Sequence, residues 1–286
     1  MNATEPLQDT PAVARYARVL SIAGSDSGGG AGIQADLKTM AALGCYGMTA
    51  ITAITAQNTQ GVRAIQALPP ELLAQQIDAV VEDIGVDAVK IGMLHDVGVV
   101  RVVADAIRRH RFTHVVLDPV MVATSGDKLI TESTVDRLVD ELFPLATLIT
   151  PNLDEAAWLL RLGTINADAL EDTANLLHVL GAHAVLLKGG HLPCPQLTDL
   201  LRLPDGEIRR WEAPRIPTRN THGTGCSLSS AIACYLALGE TLADAVAHGR
   251  DYVRQALLAG ADMKLGHGHG PLNHGHAPLA TKRLPL

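Results

Sequence analysis

Short apolar runs alternate with amphipathic stretches along most of this chain, and this alternation constrains the fold more than any other sequence feature. The apolar runs have the length and composition of buried strands: 18–23, 48–55, 88–91, 113–117, 148–150 and 183–187. The amphipathic stretches predict helices: 70–84, 97–110, 133–142 and 167–180. Such alternation predicts an α/β fold, with a central, mostly parallel sheet flanked by helices on both faces.

The alternation of predicted strands and helices ends late in the chain. Residues 197–203 and 207–211 flank the turn Pro204-Asp205-Gly206 and predict a β-hairpin, which would give the sheet a small antiparallel edge. Two further helices are predicted at 225–238 and 242–261. After them the sequence is rich in Gly, His and Pro and shows no periodicity.

Composition is consistent with one folded unit. The sequence has 286 residues, of which 47% are hydrophobic and 19% are charged. A chain of this length and polarity can build a packed core and is too apolar to be disordered. We therefore expect a flexible N-terminal segment over residues 1–17, a single domain over residues 18–276 and a C-terminal tail over residues 277–286.

Charge and cysteine usage argue against several classes of protein. The formal net charge is -7, so there is no basic field to attract nucleic acid or an anionic membrane surface. The first seventeen residues hold no apolar run typical of a secretion signal, and no later apolar stretch resembles a membrane span. The four cysteines, Cys45, Cys194, Cys226 and Cys234, form no CxxC pair. We expect free thiols in a reducing compartment, and hence a cytoplasmic protein with no nucleic-acid or membrane partner.

The segment Asn220-Thr221-His222-Gly223-Thr224-Gly225-Cys226 comes directly before a predicted apolar helix. Backbone amides at its glycines can turn toward a ligand, and a helix N-terminus carries partial positive charge. The combination favours an anion-binding site, although an ordinary glycine-rich helix start also fits the pattern. A thiol in the first turn of such a helix should have a lowered pKa, which makes Cys226 a candidate base or nucleophile.

A second glycine-rich segment spans residues 23–36, follows the first predicted strand and opens a helix. In open α/β sheets, ligands bind at the carboxyl ends of the strands, where this segment would lie. It fits the common nucleotide fingerprints poorly. No acidic residue ends a second strand at the dinucleotide-binding spacing, and no lysine follows the glycines as a Walker loop requires.

Eight segments together resemble one enzyme family: AGSDSGGGAGIQADLKT, TAITAQNT, KIGML, VLDPVM, LITPNLDEA, LLKGGH, NTHGTGC and GHGPLNH. Their order, over residues 18–274, is similar to that in hydroxymethylpyrimidine and phosphomethylpyrimidine kinases of the ribokinase superfamily. The resemblance implies a ribokinase-like fold, ATP and Mg²⁺ as cofactors, and a homodimer. It implies phosphorylation of 4-amino-5-hydroxymethyl-2-methylpyrimidine and of its monophosphate, in thiamine biosynthesis.

The resemblance also implies the catalytic residues. The backbone amides of Gly223, Thr224, Gly225 and Cys226 would stabilise the transferred phosphoryl group, and the Cys226 side chain would take the proton from the substrate hydroxyl. Most ribokinase relatives carry aspartate at this base position. A thiolate can do the same work without a covalent intermediate, because phosphoryl transfer depends mainly on positioning and charge stabilisation.

The remaining roles implied by the resemblance concern the nucleotide, the metal and the pyrimidine. Nucleotide contacts are implied for Lys188, Thr221 and His222, although His222 could equally have a structural role in its loop. Water-coordinated Mg²⁺ is implied at Asn152, Glu155 and Asp118, although an Asn followed three residues later by Glu is also a helix capping box. The pyrimidine contacts implied are Gly24, Asp36, Gln57 and Met93.

Other features leave alternatives open. Many relatives have Pro-Ser where this chain has Ser27-Gly28, so we expect a more flexible loop here. The histidines near the C-terminus lie among Gly and Pro, and we do not expect them to bind a metal: His267, His269, His274 and His276.

Pyridoxal kinase is an alternative function, because members of the same superfamily share the residues that act on the phosphates. A cysteine-nucleophile acyltransferase using Cys226 and His222, or an inert metabolite-binding protein, are further alternatives.

Overall fold

The computed structural model describes residues 13–122, 130–190 and 195–286. The described strands are β1 (Ala14–Tyr16), β2 (Arg18–Ala23), β3 (Tyr46–Ile51), β4 (Ala53–Asn58), β5 (Gly61–Ala67), β6 (Ala88–Ile91), β7 (Val115–Leu117), β8 (Leu148–Ile149), β9 (Val185–Leu187), β10 (Gln196–Arg202), β11 (Ile208–Pro214) and β12 (Arg283–Pro285). The described helices are α1 (Gly32–Ala42), α2 (Pro70–Asp83), α3 (Val97–His110), α4 (Glu132–Leu142), α5 (Leu153–Leu159), α6 (Leu170–Val179), α7 (Thr224–Ala237) and α8 (Leu242–Ala259). Short 3-10 turns occur at Phe143–Leu145 and Ala167–Ala169.

An eight-stranded sheet in the order β11-β10-β9-β8-β7-β6-β2-β3 forms the centre of the fold. The strands from β9 to β3 pair in parallel, whereas β9–β10 and β10–β11 pair antiparallel. The hairpin turn places Gly206 at a φ of 91°. The predicted parallel sheet and the predicted antiparallel edge are both confirmed.

The two faces of this sheet pack against different helices. Along β2 and β6, alternate side chains enter opposite hydrophobic clusters, as the two-residue period of a strand requires. One cluster includes Val89 and Ile91 and packs beneath α2 to α6. The other includes Ala88 and packs beneath α1, α7 and α8. Lys90 follows the same alternation, so its buried side chain lies on the α1 and α7 face.

The run 48–55 was expected to form one strand, but the structure divides it at Thr52. There the backbone N–H bonds the Ala23 carbonyl, and the hydroxyl donates to the Met93 carbonyl at 3.0 Å. The chain leaves the main sheet at this point. Residues 53–67 then form a separate two-stranded sheet of β4 and β5. The apolar pattern alone could not indicate this break, because both halves are rich in β-formers.

Residues near the two ends of the described chain pair with each other. β1 and β12 form an antiparallel ribbon in which Ala14 faces Pro285. The segment before β12 is bound to the domain through hydrogen bonds from Leu279 N to Ala42 O at 2.7 Å and from Lys282 N to Gly44 O at 2.9 Å. The domain limits at residues 18 and 276 stay a prediction, to which the structure adds this ribbon. Residues 1–12 and Cys194 lie outside the described residues.

None of the helices that the structure describes is both long enough and apolar enough to cross a membrane.

Candidate active site

A cavity of about 1040 Å³ lies at the carboxyl edge of the parallel strands. Its wall includes Ala23 at the end of β2, Asp118 just after β7 and Lys188 just after β9. The first turn of α7 closes the same space. The cavity therefore occupies the place where open α/β sheets bind their ligands, as the sequence predicted.

The loop of residues 220–226, for which an anion site was predicted, leads directly into α7. Gly223, with a φ of 82°, occupies the N-cap position of α7 and directs the chain into the helix. The Ser227 hydroxyl donates to the Gly223 carbonyl at 2.9 Å, which fixes the first turn. A β-carbon on Gly225 would lie 3.3 Å from Lys188 Nζ and 3.4 Å from Asp118 Oδ2. The helix N-terminus thus directly faces the charged groups at the strand ends.

Cys226 lines the cavity and is half-buried. Burial raises the pKa of its thiol to about 11, while the nearby Lys90 ammonium acts to lower it. The carboxylates of Asp36 and Asp118 add to the rise. The predicted lowering of this pKa is therefore wrong, because loss of solvation outweighs the positive charges around the thiol. In the ligand-free protein Cys226 carries its proton at neutral pH.

Lys188 joins the two acidic residues that the sequence assigned to metal. Its ammonium lies 2.8 Å from Asp118 Oδ1 and 3.8 Å from Glu155 Oε2. The Thr150 hydroxyl also donates to Asp118 Oδ1, at 3.0 Å. Burial acts to lower the pKa of Lys188, but the two carboxylates reverse this and raise it. One cation is thus shared between two carboxylates.

Asn152 and Glu155 form a complete capping box at the start of α5. Glu155 N donates to Asn152 Oδ1, and Asn152 N donates to Glu155 Oε2, both at 2.8 Å. Glu155 is only 7% exposed, so it is not a solvated acid. Burial raises the pKa of its carboxyl to about 7, and Asp118 contributes to the rise. The pair is a helix cap that also lines the cavity.

The prediction that Asp36 contacts the pyrimidine needs correction, because this residue does not line the cavity. Its side chain is fully buried on the α1 and α7 face and accepts four hydrogen bonds. Lys90 Nζ donates to both of its oxygens, at 2.9 and 2.8 Å, and Ser21 and Ser230 donate at 2.5 and 2.7 Å. No lone pair position is left for a ligand.

Lys90, which does line the cavity, was missed by the sequence analysis. The sequence feature that could have identified it is a charged residue within a short strand whose other residues are apolar and predicted to be buried.

The other three residues assigned to the pyrimidine line the cavity together. A β-carbon on Gly24 would lie 2.6 Å from Met93 Cε, so a side chain there would clash with the methionine. The backbone of Gln57 is tied to Ser27, whose hydroxyl donates to Gln57 O at 2.7 Å and accepts from Gln57 N at 2.8 Å. The Gln57 amide oxygen accepts from Thr55 Oγ1 at 3.3 Å. Ser27, expected to loosen the loop, instead bonds it to β4.

His222 and Thr221, the proposed nucleotide contacts, both line the cavity. His222 Nε2 lies 2.9 Å from Asp26 Oδ2, so the imidazole is bonded to the glycine-rich loop of residues 24–32. The Thr221 carbonyl accepts from Thr224 N and Thr224 Oγ1. This bond supports the structural role that the sequence analysis left open beside a nucleotide contact. Asp26 was not identified from the sequence.

The histidines of the C-terminal segment do not converge. His274 is buried, and its Nε2 lies 2.9 Å from the Ser227 hydroxyl. His269 bonds instead to backbone carbonyls: its backbone N–H donates to Thr59 O, and its Nδ1 lies 3.3 Å from Arg219 O. In the described parts of the chain, no three His, Cys, Asp or Glu residues are grouped closely enough to hold a metal ion by themselves.

A protein-family model described as phosphomethylpyrimidine kinase matches residues 26–273. The chain belongs to this kinase family. The eight segments that carried the resemblance lie largely within the matched region, and the fold is of the ribokinase-like class. The predictions of the family, of a kinase and of the fold are therefore confirmed.

Two relatives illustrate the similarity in sequence. The chain is 50% identical over 256 residues to the hydroxymethylpyrimidine/phosphomethylpyrimidine kinase of Rhizobium meliloti, covering 89% of this chain and 95% of that protein. It is 48% identical over 255 residues to the thiamine biosynthesis bifunctional protein ThiED of Geobacter sulfurreducens, covering 89% of this chain. The match spans only 51% of ThiED.

Two solved structures illustrate the similarity in fold. An ADP complex of Bacillus subtilis pyridoxal kinase superposes with a TM-score of 0.84 at 34% identity, covering 92% of this chain and 98% of that one. The phosphomethylpyrimidine kinase of Clostridium difficile superposes with a TM-score of 0.74 at 40% identity, covering 84% and 99%. The family thus shares its fold with a pyridoxal kinase.

Proposed function

We propose that this kinase transfers a phosphoryl group from ATP to 4-amino-5-hydroxymethyl-2-methylpyrimidine, and a second one to the resulting monophosphate, in thiamine biosynthesis. One observation carries the proposal. A single cavity is lined by Gly24, Gln57 and Met93, by the N-terminus of α7 and by Lys188. Relatives that match over nearly their whole length carry names for these two reactions.

In the proposed reaction the substrate hydroxyl oxygen attacks the γ-phosphorus, the bond from that phosphorus to the bridging oxygen of ADP breaks, and the hydroxyl proton passes to Cys226. The amides at Gly223 and Gly225 and the helix N-terminus stabilise the charge on the transferred group, whereas the Thr224 amide already donates to the Thr221 carbonyl. Because burial keeps the thiol protonated, only a small thiolate fraction is ready to accept the proton. Turnover should therefore rise with pH from neutrality to mildly alkaline conditions.

The test of this assignment is Cys226→Ala with Cys226→Asp as its matched control. Loss of the base should lower kcat by about 10² to 10⁴ while nucleotide binding is retained. Aspartate, the residue common among ribokinase relatives, should restore part of the rate and flatten the alkaline rise. A phosphocysteine trapped on Cys226 and identified by mass spectrometry would contradict the assignment.

On the nucleotide side, Lys188 and Thr221 are the proposed phosphate contacts, and Mg²⁺ is the proposed cofactor. Two buried carboxylates share one ammonium, and the pKa of Glu155 is raised to about 7, so an added cation would be favourable there. Asp118, Glu155 and Asn152 offer the oxygen donors that Mg²⁺ selects, with water and phosphate oxygens completing its shell. When bound, Mg²⁺ would neutralise charge on the phosphates.

Pyridoxal phosphorylation is the second candidate function, favoured by the likeness to Bacillus subtilis pyridoxal kinase. Gln57 is the proposed discriminator, because its amide can donate to and accept from the ring nitrogen and amine of an aminopyrimidine. Leaving this amide half-paired should disfavour pyridoxal by about ten- to a hundredfold. The check is the ratio of kcat/KM for the two vitamins in wild type and in Gln57→Leu. A wild-type ratio that favours pyridoxal would establish the second candidate instead.

The proposal extends to a homodimer that works in the cytoplasm. The two-stranded sheet of β4 and β5 exposes Ile54 on one face and Ile65 on the other, at 44% and 46%, and a second copy could cover either face. Light scattering of wild type and of Ile54→Lys/Ile65→Lys would test this, with a monomeric wild type contradicting it. The cysteines described by the structure are unpaired, as expected in a reducing compartment: Cys45, Cys226 and Cys234.

A further inference from the structure

Two glycine-rich loops that are far apart in sequence touch each other at the cavity. A β-carbon on Gly30 would collide with the imidazole of His222, and a β-carbon on Gly223 would collide with the Gly30 carbonyl. Gly30 belongs to the loop of residues 24–32, which carries the proposed ring contact Gly24. Gly223 belongs to the loop of residues 220–226, which forms the anion hole. The contact has no room for any side chain beyond that of His222.

Asp26 organises the first loop from within. This residue is 1% exposed, and Gly28 N donates to its Oδ1 at 2.8 Å. Gly30 N and Ala31 N donate to Oδ2 at 3.0 and 2.8 Å. Burial acts to raise the pKa of the Asp26 carboxyl, but the bond from His222 and these amides lower it overall. The carboxylate therefore stays ionised and defines the shape of the loop.

His222 connects that carboxylate to the second loop. Its Nε2 lies 2.9 Å from Asp26 Oδ2, and its backbone N–H donates to the Gly270 carbonyl at 3.0 Å. The next residue in the chain is Gly223, the N-cap of α7. Because the imidazole is fixed at its ring and at its backbone, a displacement of either loop must move the other. A charge-assisted bond of this kind is stronger than an ordinary one.

We propose that Asp26 and His222 form a latch that holds the anion hole in register with the loop that contacts the acceptor. His222 is then a positioning residue, in place of the nucleotide ligand that the sequence suggested. The inference rests on the proposed function, because it takes the anion hole and the acceptor loop as the two halves of one kinase site. Phosphoryl transfer is sensitive to such positioning, since a shift of about 1 Å can lower the rate about 10²-fold.

The kinetic test compares three variants. His222→Ala removes the latch and should lower kcat by about 10- to 100-fold while changing the KM for ATP less than threefold. His222→Gln can place an amide nitrogen where Nε2 lies and should restore most of the rate. His110→Ala is the matched control, because its Nε2 forms a 2.8 Å bond to Asp78 outside the cavity. It should leave kcat unchanged. His222→Phe, which keeps the bulk of the ring but cannot donate to Asp26, should resemble His222→Ala and serves if that variant does not fold.

A second measurement does not depend on turnover. Hydrogen exchange in the ligand-free protein should be faster at Gly28–Ala31 in His222→Ala, and should stay at the wild-type rate in His222→Gln and His110→Ala. Unchanged exchange at Gly28–Ala31 would overturn the latch, as would a raised KM for ATP with normal kcat, which marks a direct phosphate ligand. If wild type fails to phosphorylate the pyrimidine, the proposed function fails, and the exchange data still decide whether the loops are coupled.

Discussion

Two buried lysines reach the same cavity, and their surroundings differ in a way that separates fixed structure from chemistry. Lys90 meets one carboxylate, Asp36, and both side chains are fully buried. Two serine hydroxyls complete the hydrogen bonding of that carboxylate. Lys188 meets two carboxylates, Asp118 and Glu155, and is 14% exposed.

The difference lies in charge balance. The pair Lys90–Asp36 is neutral and its carboxylate is saturated, so Asp36 has little capacity to bind anything further and ties β2, β6, α1 and α7 together. The cluster around Lys188 contains one cation for two acids. Its acidic members can therefore accept a proton or a metal ion, and its lysine can be drawn to an anion. A buried carboxylate with complete hydrogen bonding has a structural role. A cluster that contains more acids than cations can instead bind ligands.

The largest expected effect comes from Lys90→Met. It leaves the Asp36 carboxylate buried without its cation, so the free energy of unfolding should fall by about 3 to 5 kcal/mol, measured by urea denaturation. The double variant Lys90→Met/Asp36→Asn removes both charges and should recover at least half of the loss. Equal losses in the single and double variants would mean that packing, and not the charge pair, accounts for the effect.

Glu155 should make the stability of the metal-free protein depend on pH. Burial raises the pKa of its carboxyl in the folded protein to about 7, whereas the ordinary value is 4.5. Between these values the folded state binds the extra proton, so stability should fall as pH rises from 4.5 to 7, by at most about 3 kcal/mol. Chemical denaturation in EDTA should show this slope in wild type and a flatter one in Glu155→Gln. Identical slopes would show that Glu155 does not titrate in this range.

Lys188→Met should cost less stability than Lys90→Met, although it removes a cation from two acids. Glu155 can take up a proton, and Thr150 still donates to Asp118, so a loss of about 2 kcal/mol is expected at pH 8. The main effect should be kinetic: kcat/KM for ATP should fall strongly, through a raised KM for ATP. A loss of stability equal to that of Lys90→Met would remove the distinction between the two clusters.

The smallest expected effect is on the capping box. Asn152→Ala should lower the free energy of unfolding by about 1 kcal/mol, because Glu155 N loses its acceptor. Asn152→Ser retains a capping oxygen and should retain stability. If the amide also orders the metal shell, turnover in Asn152→Ser should still fall and should need more Mg²⁺ for half-maximal rate. Normal turnover in this variant would restrict Asn152 to a capping role.

Local patterns predicted much of the fold because each depends on residues close in sequence. Strand and helix periodicity, the turn at Gly206 and the glycine-rich start of α7 are of this kind. They also located the edge of the sheet where the cavity lies, since strand ends and a helix N-terminus must meet there, whereas the resemblance to the kinase family implied most of its wall residues. Of the residues assigned to the site from the sequence, Asp36 alone is absent from that wall.

Contacts across long sequence separations could not be predicted in this way. Asp36 was misassigned because its partner Lys90 lies 54 residues away, and the bond of His222 to Asp26 was not foreseen because the two lie 196 residues apart. The raised pKa of Cys226 has the same origin, since the first turn of a helix suggests an acidic thiol and only the packing around it reveals the loss of solvation.

The sequence by itself thus determined the class of fold, the family and the location of the two glycine-rich loops. The fold class follows from periodicity and composition, the family from the resemblance of eight segments in their order, and the loops from the positions of the glycines. The tertiary structure alone decided which acids are saturated and which remain available, because burial and charge balance are properties of the surroundings that the packed chain creates around each side chain.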